Sequence, residues 1–260
     1  MILVMGGTTE GRKAAVELEE EGFPVVATAT TSYGEELLKA NFSGEVLCGV
    51  LDKEDLYEAG LRLRIKLLVD ATHPFALTAT QNAWEACAGL QVPYLRLERD
   101  YGDVENSSCC KAVIKVESME EAAREAGKFP GKIFLAVGSS SMEEFIRTIG
   151  VERIAVRILP TSYSLQLCDE LNLAPQQVAA VQGPFSKEFN KEMFVHFKVS
   201  TLVTKESGPT GGLPQKFAAA EELGLNVILI KRPSYTPLEK TFFSISSLKE
   251  FIRSYWISNP

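Results

Sequence analysis

Two glycine-rich loops each follow an apolar run and precede a helix-like pattern, a placement that suits the binding of anions. The first loop, residues 6–11, follows the apolar residues 2–5 and precedes an amphipathic run that ends at Glu21. Backbone N–H groups at a helix start lack intrahelical partners and carry the positive end of the helix dipole, so a pyrophosphate can bind there without a cationic side chain. The residues predicted to contact a dinucleotide here are Gly6, Gly7, Thr8, Thr9 and Glu10.

The spacing of the first loop leaves an alternative open. Its glycines are adjacent at Gly6 and Gly7, with a third at Gly11, and this is not the G-x-G-x-x-G pattern of dinucleotide-binding folds. A turn that only joins a strand to a helix would use the same residues. The loop alone therefore does not establish a nucleotide site.

The second predicted strand, residues 24–30, ends in hydroxyl side chains and a glycine rather than in an acid. Rossmann folds that select NAD place an acidic residue near this point, where it binds the ribose hydroxyls. Hydroxyl groups could instead receive a 2′-phosphate, and the lack of an arginine leaves the choice between NADH and NADPH open. The residues predicted here for coenzyme contact are Thr31, Ser32 and Gly34.

Asp70 and His73 follow the fourth predicted strand, residues 66–69. Ligands of α/β sheets bind at the carboxyl ends of parallel strands, and the usual strand order would place these side chains beside the first glycine loop. We predict that both contact the coenzyme, and both are candidates for positioning a nicotinamide or relaying a proton. A capping or packing role is the alternative for His73. Pro74 is predicted near the first position of the next helix, where its missing N–H costs little.

The second glycine-rich loop, residues 205–216, links a predicted strand at residues 201–204 to an alanine-rich helix that ends at Leu223. Lys216 is predicted in the first turn of that helix, where a cation opposes the helix dipole by a few tenths of a kcal/mol to about 1 kcal/mol. An anionic ligand would reverse this cost. An exposed lysine that is tolerated at this small cost is the alternative.

Strand-like and helix-like segments alternate through the chain, which predicts an α/β fold. We expect two Rossmann-like domains with mainly parallel sheets and a cleft between them. The polar, turn-forming residues 100–111 are the predicted linker. We therefore predict an N-terminal nucleotide-binding domain over residues 1–100 and a C-terminal domain, completing the substrate cleft, over residues 111–260.

The second half carries two further local signals. Ser141 followed by Glu144 predicts a capping box at a helix start. Residues 241–244 predict a short last strand, followed by a closing helix that ends near Trp256.

Composition limits the classes of function. A net charge of −7 disfavours nonspecific binding to nucleic acid or anionic membranes, and no apolar run approaches the ~18 residues that a membrane span needs. We therefore expect a cytoplasmic protein that binds neither nucleic acid nor membrane. The 5 cysteines include no C-x-x-C and no Cys and His cluster at zinc spacing, which predicts no protein-ligated metal.

A nucleotide loop in one half and an anion loop in the other fit a dehydrogenase or reductase. Common catalytic signatures are nevertheless missing from the sequence. None of the 7 tyrosines has a lysine four residues later, and there is no G-x-S-x-G elbow or P-loop lysine. Ordinary alcohol and ketone chemistry therefore lacks its acid.

The ordered set of motifs resembles the precorrin-6A reductase family of cobalamin (corrin) biosynthesis over nearly the full chain. The matching segments are 6–11 (GGTTEG), 70–76 (DATHPFA), 94–99 (YLRLER), 182–186 (QGPFS) with Asn190, 204–216 (TKESGPTGGLPQK), and Arg232 with Pro233. Asp100 departs from the proline expected after Arg99, and it falls in the predicted linker.

The resemblance implies reduction of a ring double bond in an acidic tetrapyrrole, with hydride from NADH or NADPH going to carbon 19 and a proton to carbon 18. The late glycine loop is most similar to the anaerobic branch, which implies cobalt-precorrin-6A as substrate, with cobalt carried inside the macrocycle. A conjugated, imine-containing macrocycle is already electrophilic, so proximity and orientation can supply much of the rate without a strong catalytic acid.

The many carboxylates of such a substrate require donors, despite the acidic net charge of the chain. Basic side chains and the late glycine loop are the candidates. The predicted substrate-binding residues are Arg96, Arg99, Lys187, Lys205, Ser207, Gly211, Gly212, Lys216 and Arg232.

Two other functions remain open from the sequence. The chain could be a nicotinamide-dependent reductase of a different anionic small molecule, or a nucleotide-sensing binding module whose second domain recruits a protein partner. Binding of an acidic tetrapyrrole would distinguish the precorrin-6A reductase from a reductase of another anion. Oxidation of the coenzyme would distinguish either reductase from a sensor, which binds the coenzyme without oxidising it.

Overall fold

The computed structural model describes residues 1–98, 113–233 and 240–258. Tertiary contacts divide the chain into two compact units. Unit 1 comprises the described residues 1–98 and 240–258, and unit 2 comprises residues 113–233. The predicted linker, residues 100–111, lies outside the described residues.

Twelve strands and ten α-helices form in the described part of the chain. The strands are β1 (Ile2–Met5), β2 (Val25–Ala29), β3 (Val46–Cys48), β4 (Leu67–Asp70), β5 (Tyr94–Leu97), β6 (Val113–Val116), β7 (Lys132–Ala136), β8 (Ile154–Ile158), β9 (Val178–Ala180), β10 (Val199–Lys205), β11 (Asn226–Ile230) and β12 (Thr241–Phe242). The helices are α1 (Thr9–Glu20), α2 (Ser32–Lys39), α3 (Lys53–Leu63), α4 (Leu77–Leu90), α5 (Met119–Gly127), α6 (Met142–Ile149), α7 (Ser162–Glu170), α8 (Lys187–His196), α9 (Leu213–Glu222) and α10 (Ile245–Ser258).

Each unit contains one parallel sheet of 6 strands. The order is β12-β5-β4-β1-β2-β3 in unit 1 and β6-β11-β10-β7-β8-β9 in unit 2. From the central strands β1 and β7, the chain runs outward to one edge of the sheet and then returns to the other side of that central strand, which is the order of a Rossmann fold. The predicted α/β class with two Rossmann-like domains and parallel sheets is confirmed.

One of the two edge strands of each sheet comes from a distant part of the chain. β6 follows β5 in sequence but pairs with β11 in unit 2. β12 follows unit 2 in sequence but pairs with β5 in unit 1, where Thr241 lies opposite Arg96. Sequence order therefore does not give the edge of either sheet.

The central strands are buried on both faces, which explains their continuous apolar runs. Ile2, Leu3 and Val4 of β1 are all 0% exposed. In unit 2, Phe134 of β7 packs against Phe194 of α8 with ring centroids 5.4 Å apart. These layers leave the strand ends, rather than the strand faces, available for polar chemistry.

The predicted C-terminal domain over residues 111–260 is corrected at its end. Leu248 and Ile252 of α10 are fully buried in the core of unit 1, and burying each contributes roughly 1.5–3 kcal/mol. Lys249 also pairs with Glu17 of α1 at 2.8 Å. Apolar periodicity predicted this helix but carries no information on which of two similar sheets it covers.

Two local predictions are also corrected. Ser141 makes no side-chain capping hydrogen bond, because it ends a short 3-10 turn and has helical backbone angles. Pro74 does not begin a helix, since α4 starts at Leu77. Hydrogen bonds within the preceding segment, from the Phe75 N–H to His73 Nδ1 and from the Ala76 N–H to the His73 carbonyl, keep it non-helical.

A search of the described residues for a membrane-crossing helix, judged by length and apolar character, finds none.

Candidate functional site

The first glycine loop lies at the point where the strand order of unit 1 reverses. β1 and β4 are neighbours there, with Met5 opposite Asp70, and the chain leaves them toward opposite edges of the sheet. Ligands of α/β sheets bind in the crevice at such a reversal point. The structure therefore brings residues 6–11 and 71–76 to the same end of the sheet, as the sequence predicted.

Thr8 connects the loop to the segment after β4. Its buried hydroxyl donates to the Ala71 carbonyl at 2.7 Å and accepts from the Gly11 N–H at 3.0 Å, which caps α1. Gly11 is required by close packing, because a Cβ there would lie 2.8 Å from Gly6 Cα and 3.2 Å from Ala71 Cβ. The hydroxyl of Thr8 is thus a structural cap.

The solvent side of the loop is open. Gly7 and Thr9 are exposed, and a Cβ built on Gly7 would have no atom within 4 Å. Gly6 is buried and donates its N–H to the Thr28 carbonyl at 3.2 Å, and Glu10 is half-buried at the start of α1. The first turn of α1 thus presents backbone N–H groups beside free space, as an anion cradle requires.

Thr31, Ser32 and Gly34 lie at the end of β2, which is next to β1. Thr31 caps α2 by accepting from the Gly34 N–H at 3.1 Å. Both hydroxyl residues are exposed. α2 was not among the predicted helices, although threonine is a favoured residue at the position before a helix.

Asp70 is a fully buried carboxylate that accepts four hydrogen bonds or ion-pair contacts. They come from the Thr72 N–H at 2.9 Å, the Thr80 hydroxyl at 2.8 Å, the Tyr94 hydroxyl at 2.6 Å and Arg96 Nη1 at 2.8 Å. Burial acts to raise its pKa, but the Arg96 charge and these donors bring the pKa below its ordinary value. This environment contradicts proton relay by Asp70, because the carboxylate is fully occupied and stays ionised.

Arg96 is also enclosed, since its side chain is 1% exposed. It pairs with Asp70 at 2.8 Å and with Glu98 at 2.8 Å. Burial acts to lower its pKa, but the two carboxylates raise the pKa above the ordinary arginine value. This location contradicts the predicted contact of Arg96 with a substrate carboxylate.

His73 lies on the segment that follows β4, between Thr72 and Pro74. It is half-buried, and its Nδ1 accepts a hydrogen bond from the Phe75 N–H at 3.2 Å. In a neutral imidazole with an accepting Nδ1, the proton is on Nε2. The local fold therefore orients the ring with Nε2 as a donor.

The second glycine loop lies at the corresponding reversal point of unit 2, after β10 and beside β7. Gly212 has φ +68° at the start of α9, a backbone conformation that favours glycine. The Ser207 hydroxyl donates to the Gly211 carbonyl at 3.4 Å. The loop thus lies between the end of β10 and the start of α9, the helix that carries Lys216.

Lys216 is buried, with 4% of its surface exposed. Its Nζ donates to the Thr204 hydroxyl at 3.0 Å and to the Ser207 hydroxyl at 3.5 Å. Burial first, and then the charge of Arg157, lower its pKa to about 7. The alternative of an exposed, tolerated lysine is therefore wrong.

Arg157 is a residue that the sequence analysis missed. It lies on β8, donates to the Asn190 side chain at 3.1 Å, and stacks its guanidinium over the Phe185 ring at 5.3 Å. Asn190 is held in turn by donating to the Ser186 carbonyl at 2.7 Å. The QGPFS motif with Asn190 could have pointed to a polar partner, but a lone arginine inside a strand carries no such signal.

The other predicted cations occupy different places. Lys205 ends β10 and is half-buried, and burial lowers its pKa. Arg232 follows β11, where its backbone N–H donates to the Glu206 carboxylate at 3.0 Å. Lys187 pairs with Glu222 at 2.6 Å; Glu222 ends α9, some 9 Å along the axis from Lys216. Lys187 therefore pairs near the far end of α9 rather than beside Lys216. Arg99 lies outside the described residues.

Among residues 1–98, 113–233 and 240–258, no group of three or more His, Cys, Asp or Glu side chains is placed to hold a metal ion.

Comparisons with known proteins place the chain in a family. A model of the precorrin-6x reductase CbiJ/CobK family matches residues 1–254. The chain is 36% identical over 258 residues to the cobalt-precorrin-6A reductase of Methanothermobacter thermautotrophicus, covering 96% of this chain and 83% of the relative. It is 36% identical over 248 residues to the cobalt-precorrin-6A reductase of Priestia megaterium, covering 93% and 95%.

A solved structure of CobK precorrin-6A reductase has the same fold. The TM-score is 0.78 and the sequences are 23% identical, with 97% of this chain and 96% of the other covered. The precorrin-6A reductase of Mycobacterium tuberculosis is 32% identical over 234 residues, covering 89% and 88% of the two chains. The chain therefore belongs to the precorrin-6x reductase CbiJ/CobK family.

Proposed function

We propose that this protein reduces a ring double bond of cobalt-precorrin-6A, with the coenzyme bound by unit 1 and the substrate carboxylates bound by unit 2. The observation that carries the proposal is a pair of cations in unit 2. Arg157 and Lys216 are close enough for one charge to lower the other's pKa, and neither forms an ion pair with a carboxylate among the described residues. Lys216 is buried and Arg157 is half-buried, and cations that have lost water in this way are expected to receive an anion.

The choice of substrate rests on the relatives. Those from Methanothermobacter and Priestia, at 36% identity over more than nine tenths of this chain, are named cobalt-precorrin-6A reductases. The metal-free compound, precorrin-6A, is the alternative that the Mycobacterium relative's name offers. We place the cobalt in the macrocycle, as part of the substrate.

The residues of unit 1 fit a dinucleotide. The first turn of α1 offers N–H groups beside the open side of Gly7, and the Thr31 and Ser32 hydroxyls follow the next strand. A bound nicotinamide coenzyme supplies the hydride, which we assign to carbon 19. Residues 30–34, which follow β2, include neither an acidic side chain nor an arginine, so both NADH and NADPH remain candidates for the coenzyme.

His73 is our candidate for the group that orients the nicotinamide or passes a proton toward carbon 18. The Phe75 N–H fixes its ring, so the Nε2–H can donate in one direction. Asp70 and Arg96 do not touch the reactants in this proposal. Lys205, Ser207, Gly211, Gly212 and Arg232 are proposed with Lys216 and Arg157 as the surroundings of the substrate carboxylates.

The test is an anaerobic absorbance assay of NADH and NADPH oxidation, with cobalt-precorrin-6A and precorrin-6A offered separately. We expect oxidation that depends on the cobalt compound and prefers one coenzyme. Turnover of precorrin-6A alone would assign the metal-free substrate. Coenzyme binding without turnover of either compound would contradict the proposal and favour a reductase of another anionic molecule or a nucleotide sensor.

A further inference from the structure

We infer that Arg96 is a positioning residue. It holds segment 71–76, which we propose to bind the coenzyme, in place through hydrogen bonds to Thr72. The inference rests on the proposed binding of a nicotinamide coenzyme by unit 1. It assigns Arg96 a role in the reaction without contact to substrate, in place of the substrate contact that the sequence suggested.

Arg96 contacts Thr72 at two atoms. Its Nη1 donates to the Thr72 hydroxyl at 3.0 Å, and its Nη2 donates to the Thr72 carbonyl at 3.1 Å. The Thr72 N–H in turn donates to Asp70, the partner of Arg96, at 2.9 Å. All three polar groups of Thr72 are therefore tied to one buried ion pair, which fixes the first residues after β4.

The guanidinium itself cannot shift easily. Its Nε is held by Glu98 at 2.8 Å, and the backbone of Arg96 is bonded on both sides, to β4 and to Lys240 at the edge of β12. A buried ion pair loses the hydration of both ions and is often no more stable than apolar residues of similar size. Its geometry can nevertheless fix the register of the segment that it contacts.

The fixed segment bears directly on the glycine loop. Ala71 is next to Thr72 in sequence. Its carbonyl accepts a hydrogen bond from the Thr8 hydroxyl at 2.7 Å, and its side chain lies close to Gly11. His73 follows on the other side. A displacement of Thr72 would therefore move the carbonyl that Thr8 uses while capping α1, and would turn His73 away from its orientation.

A purely structural ion pair predicts a different outcome, and a matched pair of variants distinguishes the two. Thr72→Val and Thr80→Val each remove one hydroxyl that accepts from Arg96 Nη1, at 3.0 Å and 3.3 Å. Thr80→Val also removes the donor to Asp70 at 2.8 Å, so it disturbs the ion pair at least as much as Thr72→Val does. Thr72 lies on the coenzyme-binding segment, whereas Thr80 lies on α4. Thr72→Ser keeps the hydroxyl and serves as the rescue.

The experiment measures the Kd for NADPH and NADH by fluorescence titration of the full-length protein, together with Tm and the KM for cobalt-precorrin-6A. Loss of a hydrogen bond to a charged donor is expected to raise the coenzyme Kd about tenfold in Thr72→Val. We expect a several-fold smaller rise in Thr80→Val, although its Tm should fall at least as far as that of Thr72→Val. We also expect a near wild-type Kd in Thr72→Ser and little change in the KM for the macrocycle.

Equal coenzyme Kd values in the two valine variants, with tight binding by the wild type, would overturn the positioning role and leave the proposed function intact. Failure of Thr72→Ser to restore affinity would overturn it as well. Failure of the wild type to bind either coenzyme would instead overturn the proposed function and the inference with it.

Discussion

Lys216 donates from Nζ to the Thr204 hydroxyl at 3.0 Å while only 4% of the residue is exposed. Its hydrogen-bond partners are neutral, so its charge has lost water without gaining a carboxylate. Burial, and then repulsion from Arg157, lower its pKa to about 7. A bound carboxylate would favour the charged form and raise that pKa again.

Substrate binding is therefore expected to weaken as the pH rises above about 7. Below this pH Lys216 is charged and can receive a carboxylate, whereas above it the free protein is increasingly neutral at this position. The KM for cobalt-precorrin-6A should then rise by up to about tenfold per pH unit. Burial also lowers the pKa of Lys205, so loss of its charge at high pH could add to the rise in KM.

Lys216→Arg and Lys216→Met provide the controls for this pH profile. Arginine stays charged throughout, so its KM should be nearly flat over the same range. Methionine removes the charge and should give a high KM at every pH, with an unchanged coenzyme Kd. Parallel profiles in the wild type and Lys216→Arg would show that Lys216 does not titrate in contact with substrate.

Arg157→Met should move the same inflection upward. Arg157 is the charge that lowers the Lys216 pKa in addition to burial, so its removal should let Lys216 stay protonated to a higher pH. Arg157→Lys keeps a charge and should leave the inflection near its wild-type position. An unmoved inflection in Arg157→Met would exclude electrostatic coupling between the two residues.

His73→Asn and His73→Gln separate the two nitrogens of the ring. An asparagine oxygen can take the place of Nδ1 and accept from the Phe75 N–H, which donates at 3.2 Å in the wild type, but it offers nothing at Nε2. If Nε2 donates to the reactants, single-turnover hydride transfer should fall by about 100-fold in His73→Asn. Glutamine, which can place an amide N–H near the Nε2 position, should retain more of the rate.

Equal single-turnover rates in the wild type and His73→Asn would leave His73 with the packing role that the sequence also allowed. The contact with the Phe75 ring, tilted by 38° and with centroids 5.7 Å apart, would then account for its presence.

The sequence predicted what depends on neighbours along the chain. The apolar runs and the glycine loops are local, so β1, α1 and the loop before Lys216 were placed to within a few residues. The partners of charged side chains, by contrast, come from elements that are distant in sequence. Arg96 looked like a substrate donor, but β4 supplies Asp70 beside it, and Arg157 went unnoticed because Asn190 and Lys216 lie far away in sequence.

The assignment of α10 to unit 1 gives the last prediction. Leu248 is 0% exposed in the core that also contains Ile2 and Leu18, whereas Ile257 on the same helix is 82% exposed. Leu248→Ala should lower the free energy of unfolding by about 2–5 kcal/mol, because it removes buried atoms and leaves a cavity. Ile257→Ala should change it by less than about 0.5 kcal/mol.

Urea unfolding followed by circular dichroism, with coenzyme fluorescence as a second probe, checks this assignment. Because α10 completes the core beneath the first glycine loop, the coenzyme-binding transition should shift to lower urea in Leu248→Ala together with the loss of helix. A variant that loses stability while coenzyme binding keeps its wild-type midpoint would show that unit 1 folds without α10. The shared core of Leu248 with α1 and β1 residues predicts the opposite, since α1, whose first N–H groups we propose to bind the coenzyme, is supported by the same cluster.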